Sequence, residues 1–395
     1  MPVNLLDIQK KLNDFSSQAQ ARRQKLARRQ EEIINLIEGY ADRLDELRDR
    51  VARAVEHYPQ LRCAVPCGEA LDAVIPMPDL PARFTVLAAD GSQINPSRHA
   101  RVEFCVINVG LVKMMRGSGM TPEVKTISQL LDYDALFLPA GGMITEGMVA
   151  LKRDLQEREA LLQISENLRP PAISMTDGPL ELYHEPRESA EFTQTFEKYL
   201  DVLRDLSERG LMISGYVDKP GSDLIVRLLE LVHMSDEDLA SPGQYRRRFG
   251  GVRDISLMQG LLNSPGDRSA LFAIFSQTAM RYGKELLPHF FYLNVGGAGK
   301  PHLARVEVPG WVARDPEAVG KLQAVLMEQA AMMGTRPYPY ILHRAHEVAV
   351  VTLPEHEHVE GMIVAEFQRR GIPVDEQSYK QYHKDLTTGK TRYQG

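Results

Sequence analysis

Cysteine is scarce in this sequence. Three residues in 395, Cys63, Cys67 and Cys105, do not make a disulfide framework and argue against a stapled secreted scaffold. Cys63 and Cys67 stand four apart, as on one helix turn, but no second pair completes a zinc site. Long hydrophobic runs are missing too. No apolar stretch approaches the ~20 residues that span a bilayer, and the N-terminus, MPVNLLDIQKKLNDF, lacks a signal-peptide core. The expectation is a soluble, cytoplasmic protein without a membrane partner. Neither charge dominates: 47 basic against 53 acidic residues leave a net −6. Contact with a polyanion would therefore depend on local basic patches. There is no internal repeat and no low-complexity tract.

The rest is ordinary globular composition, 43% hydrophobic and 25% charged, with ample length for a large core. Residues 1–60 read as a helical arm. Residues 5 to about 58 hold no proline and no glycine before Gly39, and Leu44, Leu47 and Val51 recur at helical spacing. Arg22, Arg23, Lys25, Arg28 and Arg29 line its polar side, either as a solvated face or as a surface for a partner or DNA. Residues 61–82, rich in proline, read as a linker. An α/β pattern occupies 83–355: strands at Phe84–Ala89, Glu103–Val112, Ala172–Thr176, Leu211–Val217, Phe290–Val295 and His302–Val308, with helices between the later ones. That order predicts a mixed sheet flanked by helices. Residues 236–288, with YRRRF at Tyr245–Phe249, read as an insertion, and 356–395 as a C-terminal helix and tail.

Two apolar runs end abruptly on carboxylates: Phe84–Ala89 at Asp90-Gly91, and Ala172–Thr176 at Asp177-Gly178. Asp-Gly is a favoured turn pair, so either one alone reads as a turn. Two on neighbouring strands would repel, and a divalent cation with hard oxygen ligands, Mg²⁺ or Mn²⁺, removes that repulsion. Two such ions roughly 4 Å apart can activate water and stabilise the leaving oxygen of a phosphodiester. The helix expected over Met143–Leu168 offers Glu146, Glu157, Glu159 and Glu166 as further ligands, and periodicity does not choose among them. Near the end, two X-Pro steps at Arg336-Pro337 and Tyr338-Pro339 hold the chain extended before a helix. There Leu342, Ala345 and Ala349 face a core with His346 beside them. His346 reads either as a core histidine or as a ligand.

In this order, AADGS (88–92), TDGPL (176–180), ARVEVPGW (304–311) and YPYILHRAH (338–346) resemble the recurrent motifs of the NurA nuclease family. The resemblance covers roughly residues 80–355. It implies an RNase H-like fold, related to the Piwi nuclease core. It also implies Mn²⁺-dependent degradation of DNA, with Mg²⁺ an alternative ion. A homodimer working with the hexameric HerA ATPase on DNA ends in double-strand-break repair is implied as well. By position it assigns metal ligation to Asp90, Asp177, His346 and Glu157, the last chosen because the family glutamate often follows an arginine by four, here Arg153. Glu159 stays an alternative. Tyr338, eight residues before His346, would sit near the scissile phosphate or position a ligand. Pro179 departs from the small residue also common after the glycine. An Arg-Ser segment, DRSALF (267–272), has no assigned role, and Arg305 with Glu307 reads equally as a structural ion pair or a DNA contact. Two other classes compete. One is a catalytically inactive RNase H-like nucleic-acid-binding protein. The other is a phosphatase with Asp90 or Asp177 as nucleophile, for which neither DGS nor DGP supplies the usual second Asp.

Overall fold

Strands form where apolar and β-branched residues run between turn signals. In chain order they are β1 (Cys63–Pro66), β2 (Val74–Ile75), β3 (Phe84–Ile94), β4 (Val106–Arg116), β5 (Glu123–Leu130), β6 (Ala172–Asp177), β7 (Met212–Val217), β8 (Arg268–Ser269), β9 (Phe272–Phe275), β10 (His289–Asn294) and β11 (Leu303–Val308). The structure is a computed structural model describing residues 4–374, apart from 138–141, 167, 169, 183–188, 241–244, 246 and 298. The expected C-terminal tail beyond 374, and Arg246 of YRRRF, lie outside the described residues. The chain divides into two compact units.

The first unit comprises Met1–Pro81, Gly178–Glu181 and Met212–Tyr340. The continuous helix expected over residues 5–58 is two helices, Leu5–Gly39 and Leu44–His57, broken after Gly39. Glycine costs about 1 kcal/mol in a helix interior, so the break falls where the helix is weakest. Only Ile33 and Ile37 of the first helix are buried. With Leu47, Val51 and Ala54 of the second they join a core containing Leu228, Phe249, Phe272, Phe290 and Tyr292. The strand order is β1-β9-β10-β11-β7, and β2 pairs with β8.

The supposed linker 61–82 therefore contains two paired strands. They are too short to give an alternation signal, and their bounding prolines mimic linker composition. The stretch read as an insertion likewise holds β8 and β9, both paired with β10. The Arg268 guanidinium there grips both carboxylate oxygens of Glu69, at 2.7 and 2.9 Å. The Ser269 hydroxyl accepts from the Tyr292 N–H. The Arg-Ser segment is thus a structural clasp. Arg305 and Glu307 are both buried and paired at 2.7 Å, which removes them from any nucleic-acid surface.

The second unit comprises Ala82–Asp177, Leu182–Leu211 and Ile341–Gly395. Its strand order is β5-β4-β3-β6. β3, β4 and β5 form an antiparallel meander, and β6 runs parallel to β3 after the helix Glu146–Ile164. This is the mixed, helix-flanked sheet expected for the RNase H-like class. β5 gave no signal in the sequence because nearly all of it is exposed, so no apolar face marks it.

β3 does not end at Asp90. It continues four residues to Ile94, pairing Asp90 with Gly110 and Ser92 with Asn108. The glycines beside and opposite Asp90 serve close approach rather than a turn. A Cβ on Gly110 would lie 2.5 Å from the Ala345 carbonyl oxygen and 2.6 Å from the Ala349 nitrogen, in the helix Tyr340–Ala349. One on Gly91 would lie 2.6 Å from Arg153 Cγ, in the helix Glu146–Ile164. Successive residues of a strand face opposite sides, so the two helices clamp β3 and β4 from opposite faces.

Gly110→Ala should therefore lower stability by about 1–3 kcal/mol, the usual cost of forcing atoms into a packed contact. Gly39→Ala, with nothing within 4 Å of the added Cβ, should be neutral or stabilising by up to ~1 kcal/mol. Denaturant melts of the two variants compare them directly, and equal melts would contradict the close approach.

Candidate functional site

Asp90 lies where β3 loses its neighbour. β3 and β6 pair as far as Ala89 with Thr176, so one further step in the same register sets Asp90 beside Asp177, the last residue of β6. Both then face the same side of the sheet. The Asp177-Gly178 pair is the turn that composition suggests, since Gly178 has φ of 93°, a conformation glycine adopts without penalty. The Asp90-Gly91 pair is not a turn.

His346 reaches the same place from the helix Tyr340–Ala349. That helix is held over β3 and β4 by its own last carbonyl: Ala349 O accepts from Asn108 Nδ2 at 2.7 Å and from the Ser92 hydroxyl. Ile341, Leu342, Ala345 and Ala349 are buried, whereas the His346 side chain is 64% exposed. It is not a packed core histidine. Its Nδ1 lies 2.7 Å from Asp90 Oδ2. A carboxylate only accepts, so Nδ1 donates, and in the neutral ring Nε2 keeps the lone pair. A histidine oriented by a carboxylate in this way is a common metal ligand.

Glu157 is placed differently. It lies on the helix against the Gly91 face, and Oε1 is 2.7 Å from the position a Gly91 Cβ would take. Of the four glutamates offered by the helix and its end, only Glu157 is buried; Glu146, Glu159 and Glu166 are exposed. Arg153 Nε lies 3.6 Å from its Oε1, and Arg158 Nη1 lies 3.4 Å from its Oε2. Burial pushes the Glu157 carboxyl well above the ordinary range. Asp154 adds to that shift, Arg158 and Arg153 oppose it, and Asp90 raises it further. Asp154, which sequence reasoning passed over, pairs with Arg153 at 3.2 Å. Its only signal was proximity to the Arg153–Glu157 spacing. Tyr338 belongs to the other unit, where it is half-buried with its ring edge-on to Tyr216, centroids 5.5 Å apart at 89°.

The structure thus brings Asp90 and His346 into contact and sets Asp177 in register beside Asp90. Among the described residues, no three His, Cys, Asp or Glu side chains converge as a complete metal cluster. The donors themselves suit a divalent cation: a partly exposed carboxylate and an accessible imidazole nitrogen, with a second carboxylate one strand away.

Glu157 yields a pH test. Its folded-state pKa is raised above the ~4.3 of an unfolded chain. The stability this residue contributes is present below that value and is lost as pH rises through the folded pKa. Glu157→Gln mimics the neutral form, so wild type should match the variant near pH 4 and fall progressively behind it toward pH 8. Thermal melts across that range measure the gap. A wild type that gains on the variant as pH rises would show the two arginines outweighing burial.

No helix among the described residues is long and apolar enough to cross a membrane. Comparison with curated proteins finds no match. Solved structures do match in fold. The NurA nuclease from Sulfolobus solfataricus superposes with TM-score 0.54 at 13% identity, covering 93% of this chain and 98% of that one. Weaker similarities extend to the catalytic domain of human endonuclease V (TM-score 0.32, 17% identity, 84% and 99% covered). Drosophila Piwi is similar at TM-score 0.29, 11% identity, with 67% and 29% covered. The family model of the NurA domain matches residues 84–351, more than half the chain, and the chain belongs to that family.

Proposed function

We propose that this protein is a metal-dependent deoxyribonuclease that hydrolyses phosphodiester bonds in the processing of DNA ends. The observation that carries the reading is the Asp90–His346 contact at 2.7 Å, in a chain of the NurA domain family. Asp90, Asp177 and His346 would hold the cation, with Glu157 contributing from the facing helix. The bound ion would supply charge stabilisation to the phosphate and lower the pKa of water. The chain's own residues set the terms of that binding. In the ion-free protein the Asp90 hydrogen bond holds the His346 ring at the site, and ligation of one ion by both side chains would replace that bond. β3 and β6, hydrogen-bonded to each other, fix the spacing of the two aspartates. A nitrogen donor favours Mn²⁺ over the harder Mg²⁺.

The same reading makes the protein a homodimer that receives DNA from a HerA-type ATPase. Leu5, Leu6, Ile8, Leu12 and Phe15 are exposed on the first helix, an apolar run that a partner would cover. Delivery by a motor also suits a chain of net charge −6, which needs only a local basic lining.

Asp90→Ala and Asp177→Ala should each reduce cleavage of single- or double-stranded DNA by at least ~10²–10³-fold, the scale of one strong electrostatic contact. His346→Ala should weaken Mn²⁺ use while scarcely changing the melting temperature, because the ring is mostly exposed. The assay is DNA cleavage with Mn²⁺, Mg²⁺ or chelator, with melts alongside. Near wild-type cleavage by either aspartate variant would sink the assignment. DNA binding with no cleavage under any metal would favour an inactive binding protein. Light scattering should give about twice the 44.4 kDa chain mass; a single monomeric species that fails to co-elute with the ATPase would refute the assembly.

A further inference from the structure

We propose that Arg158, steadied by Tyr199, is a positioning residue that aims the Glu157 carboxylate at β3. The proposal rests on Glu157 serving the metal centre proposed above. Neighbours in a helix diverge by about 100° around its axis, so residues one apart do not ordinarily face each other. Arg158 nevertheless places Nη1 3.4 Å from Glu157 Oε2, and the two side chains are 4% and 7% exposed. A buried ion pair of this kind is costly to assemble and gains little stability over a well-packed apolar pair. Its geometry points to a reason beyond packing.

The arginine is held from its other side. Its guanidinium lies over the Tyr199 ring, with Cζ 5.8 Å from the ring centroid. Tyr199 lies on a different helix, Ala190–Glu208. Its ring stacks on Phe196, centroids 6.5 Å apart, and Phe196 stacks on Phe192 at 5.8 Å. All three rings are fully buried, so Tyr199 is a rigid anchor. The planar fork of an arginine can serve two partners in fixed directions, which the single ammonium of lysine cannot. One end of Glu157 is thereby tethered at Oε2. The other oxygen, Oε1, faces Gly91 at 2.7 Å from the missing Cβ, next in sequence to Asp90. With Oε2 held by Arg158, Oε1 is presented in a set direction, beside Arg153 Nε at 3.6 Å.

Were Arg158 only a counter-charge in the interior, any cation in its place would do. Arg158→Lys and Tyr199→Leu both keep the charge and remove the directional tether, so they separate the two roles. The experiment is calorimetric titration of the DNA-free full-length protein with Mn²⁺, with thermal melts, for wild type, both variants and Glu157→Gln. Arg158→Lys should weaken Mn²⁺ binding about tenfold, the lower end of the loss seen when a partner that orients a ligand is removed. Tyr199→Leu should weaken it about threefold, the scale of one cation–ring contact. Wild-type Mn²⁺ affinity in both variants, with Glu157→Gln weakened, overturns the positioning role and leaves the metal reading standing. Wild-type affinity in Glu157→Gln overturns both. Should Arg158→Lys fail to fold, Tyr199→Leu alone decides.

Discussion

The contact of His346 with Asp90 is possible only because two elements approach more closely than side chains permit. The helix Tyr340–Ala349 lies so near β4 that a methyl group on Gly110 would meet its backbone at 2.5 Å. Gly110 is the residue paired with Asp90, so this opening in the sheet surface lies directly across from the carboxylate. Asn108 and Ser92, paired two residues further on, hold the end of the helix by its Ala349 carbonyl. A partly exposed histidine carried by an anchored helix combines rigidity with access, which ligation of an ion requires.

The opposite face is governed by electrostatics. Glu157 is buried with Arg153 and Arg158 beside it and Asp154 nearby. Burial of a carboxylate is tolerated when charges of opposite sign stand close, and the residual upward push on its pKa records that compensation is incomplete. Perturbed carboxyls of this kind concentrate at functional sites. Gly91 opens β3 to this helix as Gly110 opens β4 to the other. Both glycines therefore act through space: they bring charged groups on two faces to the same short length of β3.

The general class of the fold was legible in the sequence, because core strands such as β3, β4 and β10 are apolar runs. The motif order pointed to the family. The exposed β5 and the short β1, β2, β8 and β9 were not legible, since none has a buried alternating face long enough to register. Asp90 was misread as the end of a strand. Asp-Gly signals a turn by composition, but here the glycine meets a packing demand that only the folded structure reveals. The burial of Glu157 among four candidates was invisible for a related reason: helical periodicity gave two equally good stripes, and the choice between them is made by Gly91.

The central claim is that Asp90 and His346 together hold a divalent cation. Anomalous diffraction from crystals soaked in Mn²⁺ tests it most directly. The account predicts a manganese peak within bonding distance of both Asp90 and His346 and near Asp177. A well-soaked crystal with manganese bound only elsewhere, and the Asp90–His346 hydrogen bond undisturbed, would contradict it.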